Sequence, residues 1–411
     1  MLGRKPALGF IFITVVLTVL GFGLLIPVLP SLVKEFVGNE VSAGSHSYGW
    51  LVSVYAFMQF FGAPILGSLS DRFGRRKVIL IALAGSSLDY AAMALAPNLT
   101  LLFVARMVGG LTAGVMSTAN AYVADVTRPE NRAQGFGMIG AAFGLGFIIG
   151  PLVGGVLGSI DLRLPFWAAA GCTALNWLYG FFVLPESLAP EYRRAFSWKR
   201  ANPVGALLAL QRLPAVLGLA ESYFFLTLAQ MILFSIWALY TGHRYHWDPQ
   251  HVGFSLMAVG ALSAVVQAGL AKRIIGRVGD RRGVILGLML SAVAQTLYGL
   301  APQGWMVYAI IFVGSIAGIA GPAMQSYITK HVPPDEQGSV QGIYSGLASL
   351  AGIPGPLIST WSFGWAVEPG RPEWLAGLPF FIAAALALSA LALAARSFGK
   401  GHVPLAVTER P

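Results

Sequence analysis

Charge is what this chain has least of: only 11% of its 411 residues are Asp, Glu, Lys or Arg, while 56% are hydrophobic. A soluble domain carries about a quarter charged residues, so this composition excludes a chain whose whole surface faces water. There is one cysteine, Cys172, inside an apolar run, which excludes a disulfide framework and a cysteine-based metal site and reads as a small packing residue. Histidine is also scarce, and His243, His246 and His251 cluster around Asp248 without a recognised zinc spacing, so they read as a solvated loop and no metal is expected. The sequence has no phosphate-binding glycine loop, no paired-histidine metal motif and no soluble segment of useful size. Nothing in it points to an enzyme or to a cofactor.

What is present is length of apolar run. A bilayer-spanning helix needs about 20 mostly apolar residues. Twelve such stretches occur, roughly at 7–33, 49–70, 77–96, 100–123, 135–158, 164–184, 214–240, 252–271, 283–300, 304–329, 338–362 and 376–395. They are continuous, whereas membrane β-strands alternate polar and apolar over about ten residues. The expected fold is therefore an all-α integral membrane protein with twelve transmembrane helices, its first run retained as a helix instead of being cleaved as a signal peptide.

The net charge of +10 does not imply nucleic acid, because the cations are sorted by side. Placing successive loops alternately on two sides collects Arg72, Arg75, Arg76, Lys77, Arg128, Arg193, Arg194, Lys272, Arg273, Arg277, Arg281, Arg282, Lys330 and Arg396 on one side, with the terminal cations Arg4, Lys5, Lys400 and Arg410. The other side keeps Lys34, Arg163, Arg244 and Arg371. The positive-inside rule makes the first side cytoplasmic, with both termini there, in the cell inner (plasma) membrane.

The chain also repeats itself. A shift of 205 residues sets Leu95-Ala96-Pro97-Asn98 on Leu300-Ala301-Pro302-Gln303 and Arg72-Phe73-Gly74 on Arg277-Val278-Gly279. The same shift sets Arg76 on Arg281, Pro129-Glu130 on Pro334-Asp335, and Gly150-Pro151-Leu152 on Gly355-Pro356-Leu357. Coincidences at one offset over a half-chain mean duplication. The expected organisation is an amino-terminal six-helix bundle over 1–184, a cytoplasmic linker over 185–213, a second bundle over 214–400 and a tail over 401–411. Parallel six-helix repeats are an alternating-access architecture with substrate held between the halves near the midplane.

Seven residues, Asp71 to Lys77, gather one carboxylate and four cations. The longer stretch Gly67-Ser68-Leu69-Ser70-Asp71-Arg72-Phe73-Gly74-Arg75-Arg76 matches every fixed position of Gly-x-x-x-Asp-Arg-x-Gly-Arg-Arg. It resembles the signature between helices two and three of the major facilitator superfamily, and the resemblance extends over essentially all twelve helices. Physically, Gly74 permits a tight turn and Arg75 and Arg76 anchor the next helix in phosphate and water. The resemblance implies that Asp71 and Arg75 pair with the facing half to latch the outward-open form. In the second copy Lys272 stands for Gly67 and Gly276 for Asp71, so a latch carboxylate is expected in one half only.

In helix five, Gly146-Phe147-Ile148-Ile149-Gly150-Pro151-Leu152-Val153-Gly154-Gly155 resembles the motif of drug and proton antiporters. Glycines four apart let backbones approach and Pro151 permits a bend; Gly135, Gly137, Gly140 and Gly144 extend this small face. Arg106 is a cation inside helix four, and Asp89 in helix three and Glu221 in helix seven are carboxylates inside spans, each a functional candidate by default. Burial raises a carboxylate pKa toward neutrality, so Asp89 is the leading proton or substrate site.

Gly21 to Pro30, Gln59, Gly85 to Tyr90 and Gly144 to Gly146 are similar to the tetracycline efflux branch. Asp89 then matches a carboxylate implicated in transport there, while that branch's further carboxylates in helices one and nine align with Thr18 and Ser291. The expected function is proton-coupled efflux of amphipathic drug-like compounds, with tetracyclines as one candidate; the alternative is transport of a metabolite or siderophore on the same fold. Gln59, Asn120, Tyr122, Phe143, Asn176, Gln230, Trp237, Gln267, Gln325 and Tyr344, with Asp89, are the expected cavity lining, aromatic walls with a few amides suiting a small amphipathic ligand. The expected partners are that ligand, protons and the lipid bilayer, and the expected state is a monomer.

Overall fold

The computed structural model describes residues 8–128, 131–198, 201–202, 214–332 and 337–399. Residues 199–200 and 203–213 of the expected linker, the tail, the terminal cations and the matched pairs Pro129-Glu130 and Pro334-Asp335 lie outside the described residues.

Among the described residues there is no strand, and the helices follow the apolar runs. They are α1 (Leu8–Leu25), α2 (Leu29–Phe36), α3 (Val41–Phe73), α4 (Arg75–Leu95), α5 (Leu99–Leu111), α6 (Val115–Val126), α7 (Arg132–Ile160) and α8 (Leu164–Phe182). The second half contains α9 (Pro214–Tyr245), α10 (Pro249–Val265), α11 (Ala271–Val278), α12 (Asp280–Leu300), α13 (Gly304–Ala317), α14 (Ala320–His331), α15 (Gln337–Ala351), α16 (Pro354–Ala366) and α17 (Leu378–Gly399). Ten of the helical stretches are long and apolar enough to cross a membrane. The remaining two crossings are α8, 19 residues with Asn176 in its interior, and the eleventh run, divided into α15 and α16.

The runs expected as continuous break where the backbone demands it. The first stops at Leu25, ahead of Pro27, and resumes as α2 with Pro30 in its first turn, where a missing N–H costs nothing. The eleventh breaks ahead of Pro354, which restricts the residue before it. The fourth breaks at Thr112–Gly114 and the tenth at Gly318–Ile319, the same place in both repeats. The eighth passes through a π-helical stretch, Val266–Leu270, before α11. Asn98 caps α5 by accepting from the Leu101 N–H at 3.0 Å, and Asp248 caps α10 by accepting from the His251 N–H at 2.8 Å. Burial pushes the Asp248 carboxyl up, but its bonds from His251 outweigh this and hold it below the usual carboxylate range.

The cores show how the halves meet. One apolar cluster joins them, mixing Leu24, Tyr48, Leu51 and Phe166 of the first half with Ile236, Tyr240, Leu256, Phe363 and Phe380 of the second. Toward the opposite end, where α3 turns into α4 at Gly74, the core divides. Ile11, Ile79, Leu83 and Tyr122 pack within the first half, while Leu219, Val284, Met324 and Ile343 pack within the second.

Candidate functional site

Asp89 on α4 and Arg106 on α5 form an ion pair through Arg106 Nη2 and Asp89 Oδ2, with Asp89 3% and Arg106 4% exposed. The guanidinium also lies 4.7 Å from the Tyr55 ring centre and 5.8 Å from that of Tyr90, so two aromatic faces share its charge. Gly109 makes the approach possible, since a Cβ there would stand 2.5 Å from the Asp89 carboxyl carbon. Asp89 Oδ1 and Arg106 Nε keep no hydrogen-bond partner among the described residues. Each residue stood out in the sequence singly; their nearly equal distance from the turn between Leu95 and Leu99 was the signal that they lie at one depth.

The glycine-rich half of α7 serves two interfaces at once. Gly150 meets Gly23 of α1, where a Cβ would stand 2.8 Å from the Gly23 Cα, and Gly146 and Gly154 meet Val19 and Leu24. Pro151 and Gly155 face Gly253 of α10 across the seam between halves, at 3.1 Å from a Gly155 Cβ to the Gly253 Cα. Near the start of the helix Gly135 packs against Val123 and Thr127 of α6 and its cap, whereas Gly137, Gly140 and Gly144 have open space around them. On the second seam α3 meets α15 and α16. Ser53 Oγ donates to the Ile353 carbonyl at 2.8 Å, and the His46 ring lies 4.8 Å from that of Trp361.

Where the seam ends, Phe147 of α7 meets Phe234 of α9 edge-on at 5.9 Å, with Phe143 stacked on Phe147 at 6.1 Å. From there to the Gly74 end, no hydrogen bond or ion pair joins the halves among the described residues. Gln59 is half-buried, and Asn120, Phe143, Gln230, Gln267 and Gln325 are exposed, as is Glu221. Trp237 is not open in this state: it is buried, its indole N–H donates to Ser255 Oγ at 2.9 Å and its ring packs on Tyr298. Tyr122 and Asn176 are likewise buried, Asn176 Nδ2 donating to the Thr14 carbonyl at 2.9 Å and to Thr18 Oγ1 at 3.2 Å. Tyr344 packs 4.3 Å from Tyr223.

The charged knot folds upon itself. Gly74 takes a φ of 100°, a value that favours glycine, and reverses the chain between α3 and α4. Arg75 turns inward, donating from Nη1 to Asp71 Oδ1 at 2.6 Å and Ser70 Oγ at 2.6 Å, and from Nε to Asp125 Oδ2 at 3.0 Å. Arg76 donates to the Gly180 carbonyl at 3.3 Å and to that of Phe181. Arg72 is exposed over Phe73, and Gly67 has open space. The sequence reading missed Asp125 and Glu186. The Glu186 carboxylate caps α4, accepting from Arg75 N at 2.8 Å and Arg76 N at 3.3 Å, so the knot's described partners belong to the first half and the start of the linker in this state. The second copy keeps Gly276 where Asp71 stands, and its ion pair forms at other positions. Asp280 stands at the position of Arg75 and bonds Lys330, at the position of Asp125, at 2.6 Å.

A family model described as the Major Facilitator Superfamily matches residues 11–356 and, again, 219–409. The tetracycline resistance protein, class C, of Escherichia coli is 39% identical over 385 residues, covering 94% of this chain and 95% of its own. Multidrug resistance protein 2 of Bacillus subtilis (strain 168) is 27% identical over 345 residues, 82% of this chain and 84% of that one. Among solved structures, that of the human organic anion transporter MFSD10 (TETRAN) superposes with a TM-score of 0.71 at 26% identity, over 95% of this chain and 100% of that one.

Proposed function

Since this chain belongs to the major facilitator superfamily, we propose that it is a proton-coupled exporter of amphipathic, drug-like compounds, with tetracyclines as one candidate substrate. The observation that carries this reading is the uneven closure of the halves, fused through one core at one end and packed separately at the Gly74 end. Such a form is one of the two states that alternating access requires. The resistance proteins that align over nearly the whole chain support drugs as the cargo. Residues up to 184 act as one moving bundle and 214–400 as the other, joined by 185–213. The protein works as a monomer in the inner membrane, its Gly74 end cytoplasmic because the cations collect there.

In this state the cleft opens to the cytoplasm beneath Phe147 and Phe234, and a drug entering it meets aromatic faces and the amides of Gln59 and Gln230. Asp89 is the proton carrier. Taking up a proton dissolves its ion pair and hands the guanidinium of Arg106 to Tyr55 and Tyr90, while releasing it restores the pair. Thr18, whose hydroxyl is spent on the Thr14 carbonyl at 2.8 Å, and Ser291, nearly buried, replace carboxylates of the tetracycline branch. They favour a second reading, transport of a metabolite or siderophore.

The test is proton flux from proteoliposomes with an imposed acidic interior, on adding amphipathic drugs including tetracycline with magnesium. Drug-dependent flux in the wild type that disappears in Asp89→Asn is the expected result. Folded wild-type protein without flux for any drug would refute drug export and leave the metabolite reading.

A further inference from the structure

At the end where the halves are fused, every connecting loop lies within the described residues, and two histidines sit at the seam. His46 is on α3 of the first half, three residues ahead of the apolar run at 49–70. There α3 presents Ser42, His46, Gly49 and Ser53 to α16 of the second half, and His46 is the one titratable side chain of the four. Its ring lies 4.8 Å from that of Trp361, tilted by 31°, and a Cβ on Gly364 would stand 2.6 Å from its Nε2. That nitrogen is sealed from solvent and has no hydrogen-bond partner among the described residues. His243, near the end of α9, flanks α16 from the other side, its ring edge-on to Phe363 at 5.7 Å. The charges around it are Glu373, His246, Lys34 and Arg244. Glu373 is already paired with Arg244 at 3.1 Å, and Lys34 belongs to α2 of the first half, so His243 faces a cation across the seam.

The chemistry of the ring decides which form the seam accepts. A neutral imidazole can keep its proton on Nδ1 and leave Nε2 bare, whereas an imidazolium carries N–H on both nitrogens. At Nε2 of His46 that second N–H would be a charged donor buried without an acceptor, which is costly. The Trp361 face attracts a cation but offers its N–H no oxygen. No neighbouring carboxylate compensates. Neither α15 nor α16 carries a charged residue, and Glu368, just beyond α16, pairs with Arg371 at 2.7 Å. Around the start of α3, Glu35 and Glu40 are exposed and Lys34 packs on Gly44. Of the helices that meet α3 further in, α4 and α5 supply Asp89 and Arg106, which neutralise each other, and α6 supplies Asp125, held by Arg75. At His243 a proton would set two positive charges, its own and that of Lys34, on opposite halves.

We propose that His46 and His243 form an acid-sensitive lock on the outer end of the protein. Neutral, they let the halves stay fused; protonated from outside, they part the seam and favour the outward-open state. The inference rests on the alternating-access reading and adds regulation to it, since the acidity that supplies the transported proton also opens the way in. Histidine changes charge between pH 5 and 8. Because the open seam alone accommodates both charged rings, the open-to-closed ratio should rise about tenfold per histidine between pH 7.5 and pH 5.5.

The test uses the full-length protein in nanodiscs, in a Cys172→Ser background with spin labels at Ser159→Cys and Gln303→Cys, exposed positions at the outer ends of the two halves. Double electron–electron resonance reads the fraction of long, open-seam distances as pH is lowered from 7.5 to 5.5. A tenfold to hundredfold rise in the open-to-closed ratio is expected. His46→Gln and His243→Gln should each remove about tenfold of it, and the double variant all of it. Lys34→Met should shrink the His243 share, while His251→Gln, exposed and bonded to Asp248, should respond as wild type. An unchanged ratio in the wild type would overturn the proposal, as would a full acid response in the double variant. Drug-dependent proton flux is read separately on the wild type: acid opening without flux would sink drug export and keep the lock, and flux without acid opening would do the reverse.

Discussion

Replacing Asp89 by Asn removes the only anion that Arg106 touches among the described residues, while keeping a side chain of the same shape. The pair is nearly sealed, with side-chain exposures of 4% for Arg106 and 2% for Asp89, so water cannot take over the lost charge. Removing one partner of a buried pair costs about 3–5 kcal/mol, because the other charge stays buried and uncompensated. The aromatic faces of Tyr55 and Tyr90 and the remaining amide oxygen soften this, which sets the expectation for Asp89→Asn near 3 kcal/mol, the low end of that range. At 1.4 kcal/mol per decade that is roughly a hundredfold in the unfolding equilibrium. Arg106→Met should cost at least as much, stranding a carboxylate, yet the double variant should lie within about 1 kcal/mol of wild type, a coupling of about 5 kcal/mol or more. The assay is reversible unfolding in mixed dodecylmaltoside and dodecylsulfate micelles, followed by helical circular dichroism. Costs that simply add, with coupling under about 0.5 kcal/mol, would show that the two side chains are not a charged pair and would refute the proton-release step built on it.

Gly155→Ala pushes a methyl to 2.5 Å from the Pro249 carbonyl oxygen across the seam, so it should open the closed end at a cost of about 1–3 kcal/mol, read as increased labelling of cysteines placed along α10 in a Cys172→Ser background. Glu186→Gln weakens four charge-assisted backbone bonds and should destabilise the first half by about 1–2 kcal/mol, measured as earlier loss of amide-exchange protection at the start of α4; unaltered protection would remove Glu186 as the cap. Asp71→Asn removes the carboxylate that accepts from Arg75 at 2.6 Å and that, in the proposed cycle, holds the knot against the facing half, so it should leave folding and ligand affinity largely intact but slow turnover. Unchanged turnover would reduce the knot to an anchor. Phe234→Ala removes the edge of the aromatic pair with Phe147 and should lower drug-dependent proton flux severalfold while raising drug-independent leak.

Much of the architecture was legible because the bilayer dictates it. Twelve apolar runs were counted from length alone, and the repeat offset announced the halves. Gly74 and the glycines of α7 were legible because backbone reversal and close approach tolerate few other residues. What escaped were partners supplied by tertiary contact. Asp125 and Glu186 reach Arg75 from 50 and 111 residues away, and nothing in their own neighbourhoods marks them. The second knot has lost the first one's residue types, yet two of its positions still interact: Asp280 and Lys330, at the positions of Arg75 and Asp125, keep an ion pair with its signs exchanged. Trp237 was expected to face the cavity, and its indole N–H instead found Ser255 on the neighbouring helix.

The neutrality of the Asp89–Arg106 pair bears on how energy enters the proposed cycle. With the pair intact, the middle of the first half carries no net charge, and the cost of a bare ion in the span is avoided. Proton uptake leaves Arg106 as a single positive charge there, held by two aromatic rings. The loaded and unloaded forms therefore differ by one charge, and a membrane potential negative inside acts on only one of them, drawing it toward the cytoplasmic face. At 100 mV this amounts to about 2.3 kcal/mol for a full crossing, enough to sustain a drug gradient of about fiftyfold for a neutral substrate exchanged against one proton. A substrate leaving as a monocation would cancel that charge movement and leave the pH difference as the sole drive. The same pair thus predicts that collapsing the potential with valinomycin and potassium slows export of neutral drugs and spares export of monocationic ones.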